Sequence, residues 1–338
     1  MTDMIGAWLG RCKDPATEPF EGMEEAGLFA PADSYLAIAR TKAALVERTG
    51  LLGIGGAWGG RQLVGRFFID GFGTAEQRNQ WRGRAASVAI SEPKVGAHPK
   101  HLRTRAEPCN DGFRITGEKA WVSNAPSAEV IIVLAITAVQ SDRKQYSAFL
   151  VPRGTPGMTV NDMPGLHMLR PSRHATVVLN GCIVPNGAVL GEPGSAYPRM
   201  ALPFRDVEDA VGVFGVLGAF RFFLPLLAHG EASPDATLSL GGLAALAAVG
   251  AAAAEAAVAA LDAGPPPRES AVLVGLRVLM AEMLQRARTH VAQFGLSEAQ
   301  RIDTILADVE ATLSIARGPR LARQSGLGEA LWTRSTET

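Results

Sequence analysis

The stretch between residues 86 and 194 determines the predicted fold. It contains Ala86-Ser-Val-Ala-Ile-Ser-Glu-Pro-Lys94, Gly117-Glu-Lys-Ala-Trp-Val-Ser-Asn-Ala125, Tyr146-Ser-Ala-Phe-Leu-Val-Pro152 and Val184-Pro-Asn-Gly-Ala-Val-Leu-Gly191. Short β-branched runs here alternate with glycine, proline and asparagine, which is typical of strands joined by tight turns. The stretch therefore predicts an antiparallel β-domain in the middle of the chain.

The segments on both sides of this stretch are predicted to be helical. Residues 41–49 have helical periodicity and end at Gly50, a plausible C-cap, while Thr74 and Gln77 form the pattern of a capping box. Helical patterns return from about Ala196, and turns are expected in the glycine-rich run 53–60, at 231–237 and at 264–267. We predict an α+β multidomain chain: N-terminal helical domain 1–85, β-domain 86–190 and C-terminal helix bundle 191–338.

Composition excludes several classes of function. The 338 residues include 33 basic and 33 acidic side chains, so no net charge attracts nucleic acid or an acidic membrane surface. The three cysteines, Cys12, Cys109 and Cys182, are far apart in sequence, which fits a reducing compartment, and the N-terminus lacks the pattern of a signal peptide. We expect a cytoplasmic protein with no disulfide framework.

A stretch rich in alanine, residues 240–261, is long enough to span a bilayer. Alanine and glycine are only weakly apolar, and Glu255 interrupts the run. Because alanine is the best helix former, the stretch favours a helix buried in a bundle, and we expect no membrane span.

Three short motifs have simpler explanations than the sites they resemble. The run 53–59 lacks the third glycine of a dinucleotide-binding loop, since Trp58 occupies its place. Ser91 and Lys94 match SxxK, but Pro93 would break the helix that such a motif needs. His98 and His101 have no third ligand at metal-binding spacing, so we expect no metal site.

Taken together and in this order, the motifs resemble the middle domain of the acyl-CoA dehydrogenase family. The Ser91-Glu-Pro93 strand end resembles that family's T/S-E-P, and Lys119-Ala-Trp-Val-Ser-Asn124 resembles its K-x-W-I-T/S-N. The resemblance implies that FAD is the cofactor, that Trp121 stacks on the flavin ring, and that Ser91, Ser123 and Gly96 contribute to its binding. It also implies an acyl-CoA substrate and an electron-transfer flavoprotein, or an equivalent acceptor, as partners.

Departures from the family are equally informative. The serine and aspartate of the usual G-x-G-S-D continuation are missing after Pro93, and the R-x-x-F-G element for a neighbour's FAD diphosphate has only Gln293-Phe-Gly295 as a remnant. The N-terminal helices also look short. The resemblance therefore implies an oligomer, either a homo-oligomer or a heterotetramer with a paralogous subunit that completes the FAD site.

The resemblance also requires a carboxylate that removes the α-proton of the thioester. Glu208 lies ten residues before Gly218, as in isovaleryl-type and long-chain members, although Asp209 stands where arginine is typical. Glu310 lies in a segment resembling the E-G-T-x-x-I-x-R of medium-chain members, with Ala311 in place of the glycine. Either residue, or neither, is the base. The alternatives to a dehydrogenase are a catalytically silent subunit that shapes a partner's site, and a flavin monooxygenase or oxidase on the same fold.

Overall fold

The chain forms two compact units, which we describe separately. The computed structural model describes residues 3–163, 168–228, 232–264, 271–294 and 299–336. The sheet unit comprises Met1–Asp33 and Ala57–Arg205, and the helical unit comprises Ser34–Gly56 and Asp206–Thr338. The predicted boundaries after residues 85 and 190 remain a prediction.

Short helices precede the strands of the sheet unit. They are α1 (Met4–Leu9), the part of α3 (Leu52–Val64) that follows Gly56, a π-helical turn (Gly65–Asp70) and α4 (Ala75–Trp81). The predicted capping box at α4 is present: the Thr74 side chain accepts from the Gln77 backbone N–H, and the Gln77 side chain accepts from the Thr74 N–H.

The prediction of a turn in the glycine-rich run 53–60 is wrong, because α3 passes through this run. A Cβ on Gly55 would lie 2.6 Å from Cγ2 of Val46, and one on Gly60 would lie 3.4 Å from Nδ2 of Asn124. The glycines let neighbouring segments approach the helix closely. This packing outweighs the intrinsic cost of about 1 kcal/mol per glycine in a helix.

Eight strands form one sheet in the sheet unit. They are β1 (Ala86–Ala89), β2 (Arg105–Cys109), β3 (Gly112–Ser123), β4 (Val130–Gln140), β5 (Arg143–Pro152), β6 (Met158–Asp162), β7 (His174–Val184) and β8 (Val189–Leu190). Their order is β6-β7-β3-β2-β4-β5-β8, with β1 paired to β4. Most pairings are antiparallel as predicted, but β1 and β2 each meet β4 in parallel, so the sheet is mixed.

The core of the sheet unit lies against one face of this sheet. It includes fully buried side chains from β3, β4, β5 and β7, among them Ile115, Val133, Phe149 and Val177. Since side chains alternate between the faces of a strand, several residues of β3 outside this core are exposed, among them Glu118, Trp121 and Ser123.

The helical unit is an α-helical bundle, as predicted. It contains α2 (Tyr35–Thr49), most of α5 (Leu202–Leu227), α6 (Pro234–Ala263), α7 (Ala271–Phe294), α8 (Ala299–Ser314) and α9 (Arg317–Thr336). Gly50 ends α2 in the left-handed conformation with φ +72°, which confirms its role as a C-cap. The turn predicted at 231–237 is shorter, because Ser233 caps α6 and the helix begins at Pro234. Residues 265–267 of the second predicted turn lie outside the described residues.

The alanine-rich stretch is a helix, but it is less buried than predicted. Helix α6 buries a line of residues that includes Leu243, Gly250, Ala254 and Val258. Only 22% of its most apolar window is buried. Among the described residues, α6 and the Tyr197–Leu227 helix are both long and apolar enough to cross a membrane by length and composition, which is weak evidence for a membrane span.

Candidate functional site

The Ser91-Glu-Pro93 segment ends β1 and folds back on itself. The backbone N–H of Glu92 donates to the Gly96 carbonyl (3.0 Å), and the Gly96 N–H donates back to the Glu92 carbonyl (3.1 Å). Gly96 is exposed, with φ +58°, a conformation that favours glycine. The turn leaves Ser91 half-buried at the strand end.

The carboxylate of Glu92 is the structural centre of this region. It is only 5% exposed and accepts backbone N–H bonds from Arg103 (2.7 Å) and Thr104 (2.9 Å). Burial raises the pKa of Glu92, but the opposing effects of Lys119 and these hydrogen bonds outweigh it, so the pKa is lowered overall. Glu92 is therefore a buried carboxylate ion.

Lys119 provides the counter-charge from β3. Its ammonium is fully buried and donates to Oε1 of Glu92 (3.0 Å) and to the Ile90 carbonyl (3.1 Å). Burial lowers the pKa of Lys119 to about 8, against the opposing attraction of Glu92. Both residues belong to the motifs quoted above, but their ion pair was not predicted. The available signal was the presence of opposite charges in the two motifs.

Trp121 lies immediately after this ion pair, at an irregularity of β3. The strand's register against β7 shifts between Lys119 and Val122. Within that shift Trp121 has φ +60°, and its side chain is 54% exposed. A left-handed tryptophan is unusual because its Cβ crowds the following carbonyl. Such outliers persist where the surroundings enforce them, and they often mark functional sites.

Ser123 is also exposed and pairs directly across the sheet with His174 of β7. Residues paired in this way project from the same face of a sheet. Nδ1 of His174 is buried and has no hydrogen-bond partner within the described structure, and burial lowers the pKa of this imidazole. Buried polar atoms are nearly always hydrogen-bonded, so this nitrogen is a candidate ligand contact that sequence analysis missed.

Asn124 fixes the end of β3. It is 7% exposed with φ +61°, and its side chain donates to the Ala57 carbonyl of α3 (2.7 Å). Its own N–H donates to the Arg173 carbonyl (2.8 Å). The segment with Trp121 and Ser123 is therefore anchored at both ends, by Lys119 before it and Asn124 after it.

The loop after the turn is held by two phenols and an ammonium. The Tyr146 hydroxyl donates to the Pro99 carbonyl, and the Tyr197 hydroxyl donates to the Ala97 carbonyl (3.0 Å). Lys144 donates to the carbonyls of Lys100 and Leu102. Burial raises the pKa of Tyr146 to about 12, so this phenol stays protonated as a donor. Motif matching gave no signal for these residues.

The exposed face of this loop is basic. Lys94, Lys100, Arg103 and Arg105 are all exposed, which leaves them accessible to solvent and to phosphate groups. The rings of His98 and His101 lie 4.6 Å apart. Within the described residues, no group of three or more His, Cys, Asp or Glu side chains could hold a metal ion.

Glu208, the first candidate base, lies in the helical unit on α5 and is exposed there. Burial lowers the pKa of Lys42 on α2 to about 8, and the charge of Glu208 opposes this shift. The Lys42 side chain lies beside Gly215, whose Cβ would be 3.0 Å from Cε. The Lys42 ammonium is therefore close enough to interact with the Glu208 carboxylate.

Glu310, the second candidate base, lies within α8 rather than in a loop. It is exposed, and Nη2 of Arg288 lies 2.6 Å from its Oε2, an interaction that lowers the pKa of Glu310. A general base of this kind needs a raised pKa. These surroundings favour the alternative interpretation of Glu310 as a surface residue.

The helical unit also contains a cleft of about 580 Å³ beside Glu310. Its apolar walls come from α7, α8 and α9, and its polar lining includes Asp206, Asp209, Arg277, Arg320 and Arg323. Asp209 is 6% exposed and accepts from Nε of Arg320 (3.2 Å) and Nη1 of Arg277 (3.4 Å). The aspartate that replaces the family's usual arginine is thus the counter-charge of an arginine cluster.

Known proteins resemble this chain in sequence and in fold. A family model described as "Acyl-CoA dehydrogenase, middle domain" matches residues 87–182. Mouse mitochondrial short-chain specific acyl-CoA dehydrogenase is 33% identical over 142 residues, which cover 40% of this chain and 34% of that protein. The alignment thus spans about a third of that relative's length.

Solved structures match over nearly the whole chain. Butyryl-CoA dehydrogenase from Megasphaera elsdenii has a TM-score of 0.78 at 17% identity, covering 97% of this chain and 89% of that one. Glutaryl-CoA dehydrogenase from Mycobacterium smegmatis has a TM-score of 0.74 at 24% identity, covering 97% and 85%. The middle-domain match and the shared fold agree with the motifs at Ser91 and Trp121. On these grounds, the chain contains a middle domain of the acyl-CoA dehydrogenase family and has the acyl-CoA dehydrogenase fold.

Proposed function

We propose that this protein is an FAD-dependent dehydrogenase that introduces an α,β double bond into a CoA thioester. The observation that supports this most is the geometry of Trp121, an exposed indole in a left-handed conformation between two anchored residues. A planar aromatic surface held in this way gains dispersion energy from a second planar ring, such as the isoalloxazine of FAD.

The residues around Trp121 fit a flavin ring. Ser123 is exposed on β3, and the unpartnered Nδ1 of His174 belongs to the residue opposite it. Ser91 is joined to this segment through its carbonyl, which accepts from the Ala120 N–H (2.9 Å). In the proposal, Trp121 stacks on the ring, and Ser91 and Ser123 bond to its polar edge. When bound, FAD supplies the acceptor for the hydride that leaves the β-carbon.

We assign the proton abstraction to Glu208. Its carboxylate takes the α-proton, the electron pair of that C–H bond forms the double bond, and the β-hydrogen leaves as hydride. Lys42 lies close enough for its charge to interact with the Glu208 carboxylate. The ion pair with Arg288 and the lowered pKa argue against Glu310.

An oligomer is part of the proposal. The motif for a neighbour's FAD diphosphate is lost, so in this proposal a partner subunit supplies these contacts. Helix α6 supports this view, because its outer face carries exposed apolar residues such as Leu238 (77%) and Val249 (60%). Contiguous exposed apolar surface usually marks an interaction site. We propose a homo-oligomer or a heterotetramer with a paralogue, located in the cytoplasm and passing electrons to an electron-transfer flavoprotein or an equivalent acceptor.

A second candidate is a catalytically silent subunit. The exposure of Glu208 favours it, because a base that works near neutral pH is normally desolvated. In that case the chain would form part of a partner's site and would not perform the chemistry itself.

The visible spectrum of the purified protein, recorded with and without added FAD at a defined oligomeric state, tests the first proposal. A flavin spectrum near one FAD per chain supports it, and a chain that stays colourless in excess FAD refutes a self-sufficient enzyme. In a flavin-loaded protein, Glu208→Gln should lower desaturation of an acyl-CoA by about 10²- to 10⁴-fold while FAD stays bound. Glu310→Gln is the matched control and should leave activity within about twofold, as expected for an exposed carboxylate. If Glu310→Gln loses activity and Glu208→Gln keeps it, Glu310 is the base. If the wild type and both variants are inactive, the silent subunit is favoured.

A further inference from the structure

The buried charges of the sheet unit connect the two segments proposed to bind the flavin ring. Glu92 belongs to the strand end at Ser91, and Lys119 precedes Trp121 by two residues. Their side chains meet at 3.0 Å with exposures of 6% and 0%. A buried ion pair is not in itself good evidence for stability, because desolvation offsets much of the attraction. Its presence therefore calls for another explanation.

The pair fixes the position of one segment relative to the other. The Lys119 ammonium donates hydrogen bonds to the Glu92 carboxylate and to the Ile90 carbonyl, so it is attached to the segment after β1 at two points. The backbone adds a third point, since the Ala120 N–H donates to the Ser91 carbonyl. Glu92 is itself held by two backbone N–H groups of the next segment, so it is a fixed anchor for Lys119.

Trp121 needs such an anchor. A left-handed conformation costs a residue other than glycine about 1–2 kcal/mol, and the 54% exposed indole gains little burial in return. Without a constraint at residues 119 and 120, the strand would lower its energy by returning to regular β-geometry. That change would redirect the indole, because successive side chains on a strand alternate between faces.

We propose that Lys119 and Glu92 are positioning residues, which hold Trp121 in its left-handed conformation and at a fixed separation from Ser91 so that both meet the same flavin ring. The inference rests on the proposed flavin site, but the hold on Trp121 is a property of this chain alone. Neither side chain touches the ring, and their effect passes through the backbone of residues 90–91 and 119–121.

Two variants distinguish a role in positioning Trp121 from a role in stabilising the fold. Lys119→Met leaves a buried carboxylate without its counter-charge and should lower the melting temperature strongly. Glu92→Gln combined with Lys119→Met removes both charges. The single amide oxygen of the glutamine can replace only one of the two carboxylate oxygens that accept from the N–H groups of Arg103 and Thr104, so part of the stability lost in Lys119→Met should return. Arg84→Met is the matched control, since it removes an exposed ion pair of the same unit, with Glu129.

The first readout requires no flavin. Trp121 emission is obtained as the difference between each protein and its Trp121→Phe version. We expect a changed emission maximum and lower anisotropy in the double variant, and no change in Arg84→Met. Glu92→Asp, which keeps the charge but shortens its reach, gives an intermediate change and serves if the double variant does not fold. Unchanged emission in a stable double variant, or in Glu92→Asp if the double variant fails to fold, would overturn the positioning role.

The second readout is FAD affinity, measured by titration at equal folded fraction. A displaced ring contact should weaken FAD binding by about 10- to 100-fold in the double variant, as expected for misplacement of about 1 Å. Wild-type affinity in a stable double variant would contradict the inference. If the wild type binds no FAD, the proposed flavin site fails, whereas the emission experiment still decides whether the pair holds Trp121.

Discussion

Replacing Asp209 by arginine, the residue typical of the family at this position, should destabilise the helical unit. In most families, restoring a common residue is neutral or stabilising. Here Asp209 lies among Arg277, Arg320 and Arg323, whose side chains are only 16–24% exposed. Burial and the neighbouring Arg320 already lower the pKa of Arg277 to about 10, and Asp209 opposes that shift.

The size of the effect follows from the charges. Asp209→Asn removes the counter-charge of partly buried guanidinium groups and should cost about 3 kcal/mol. Asp209→Arg adds a like charge about 4 Å from its neighbours, which is worth about 4 kcal/mol per pair at an effective dielectric constant of about 20 before the side chains relax. We therefore expect the arginine variant to be the less stable of the two by several kcal/mol.

Urea unfolding followed by circular dichroism measures both variants, and limited proteolysis reports on α9 specifically. Helix α9 has no buried residue among those described, and Arg320 and Arg323 are its ionic attachments to α5. Cleavage within α9 should thus accelerate in both variants, and more in Asp209→Arg. If Asp209→Arg is as stable as the wild type, or more stable than Asp209→Asn, the assignment of Asp209 as the counter-charge is wrong.

Three further predictions concern single positions. The pKa of Lys42 is about 8 in the folded protein and 10.5 for the free side chain, so between these pH values the unfolded chain binds more protons than the folded protein. The free energy of unfolding should therefore rise with pH in this range. Urea unfolding at pH 7.5 and 9.5 should show a smaller rise in Lys42→Met than in the wild type. Gln77→Ala loses the capping box and two bonds to carbonyls of a later segment (2.9 Å each), and should cost about 2 kcal/mol in urea unfolding. Gly112→Ala places a Cβ 2.2 Å from the Val184 carbonyl oxygen and should lower the melting temperature strongly. Gly154→Ala is the control, because Gly154 also has a positive φ but has open space around it, and its melting temperature should fall far less. Similar decreases in melting temperature for the two variants would contradict the steric argument.

Local signals were sufficient for much of the fold. The β-branched runs of β3, β4, β5 and β7, the caps at Gly50 and Thr74, and the helical bundle all follow from short-range patterns. The glycine-rich part of α3 could not be predicted in this way, because its glycines are explained by close packing against Val46 of α2 and against Asn124, contacts that exist only in the folded chain. The parallel pairing of β1 with β4 is equally non-local.

Some residues of the candidate site could likewise be predicted from local motifs, and others could not. Motif order identified Ser91, Trp121 and Ser123, whose assignment to FAD stays a prediction. Sequence could not indicate that Trp121 is left-handed, or that His174 lies opposite Ser123, because both depend on the bulge and register of β3 against β7. The ion pair of Glu92 with Lys119 joins residues 27 positions apart and needs the folded sheet to bring them together.

The sheet unit matches the motifs of the acyl-CoA dehydrogenase family better than the helical unit does, so the decisive experiment concerns the residues of the helical unit. The sheet unit keeps Ser91, Trp121 and Ser123, although it lacks the serine and aspartate expected after Pro93. Its buried, hydrogen-bonded residues Lys119 and Asn124 lie on either side of Trp121. In the helical unit, Ala311 replaces the glycine of the family's base-bearing segment, and α8 continues through Glu310 without interruption. Alanine favours a helix over glycine by about 1 kcal/mol, which agrees with the continuous helix at this position. Asp209 and its arginines join α5 to α7 and α9. Desaturation of a thioester needs one of two carboxylates, Glu208 or Glu310, as the base, and we propose Glu208. The activity of the wild type, compared with Glu208→Gln and Glu310→Gln, therefore decides whether the chain is an enzyme and which glutamate is its base.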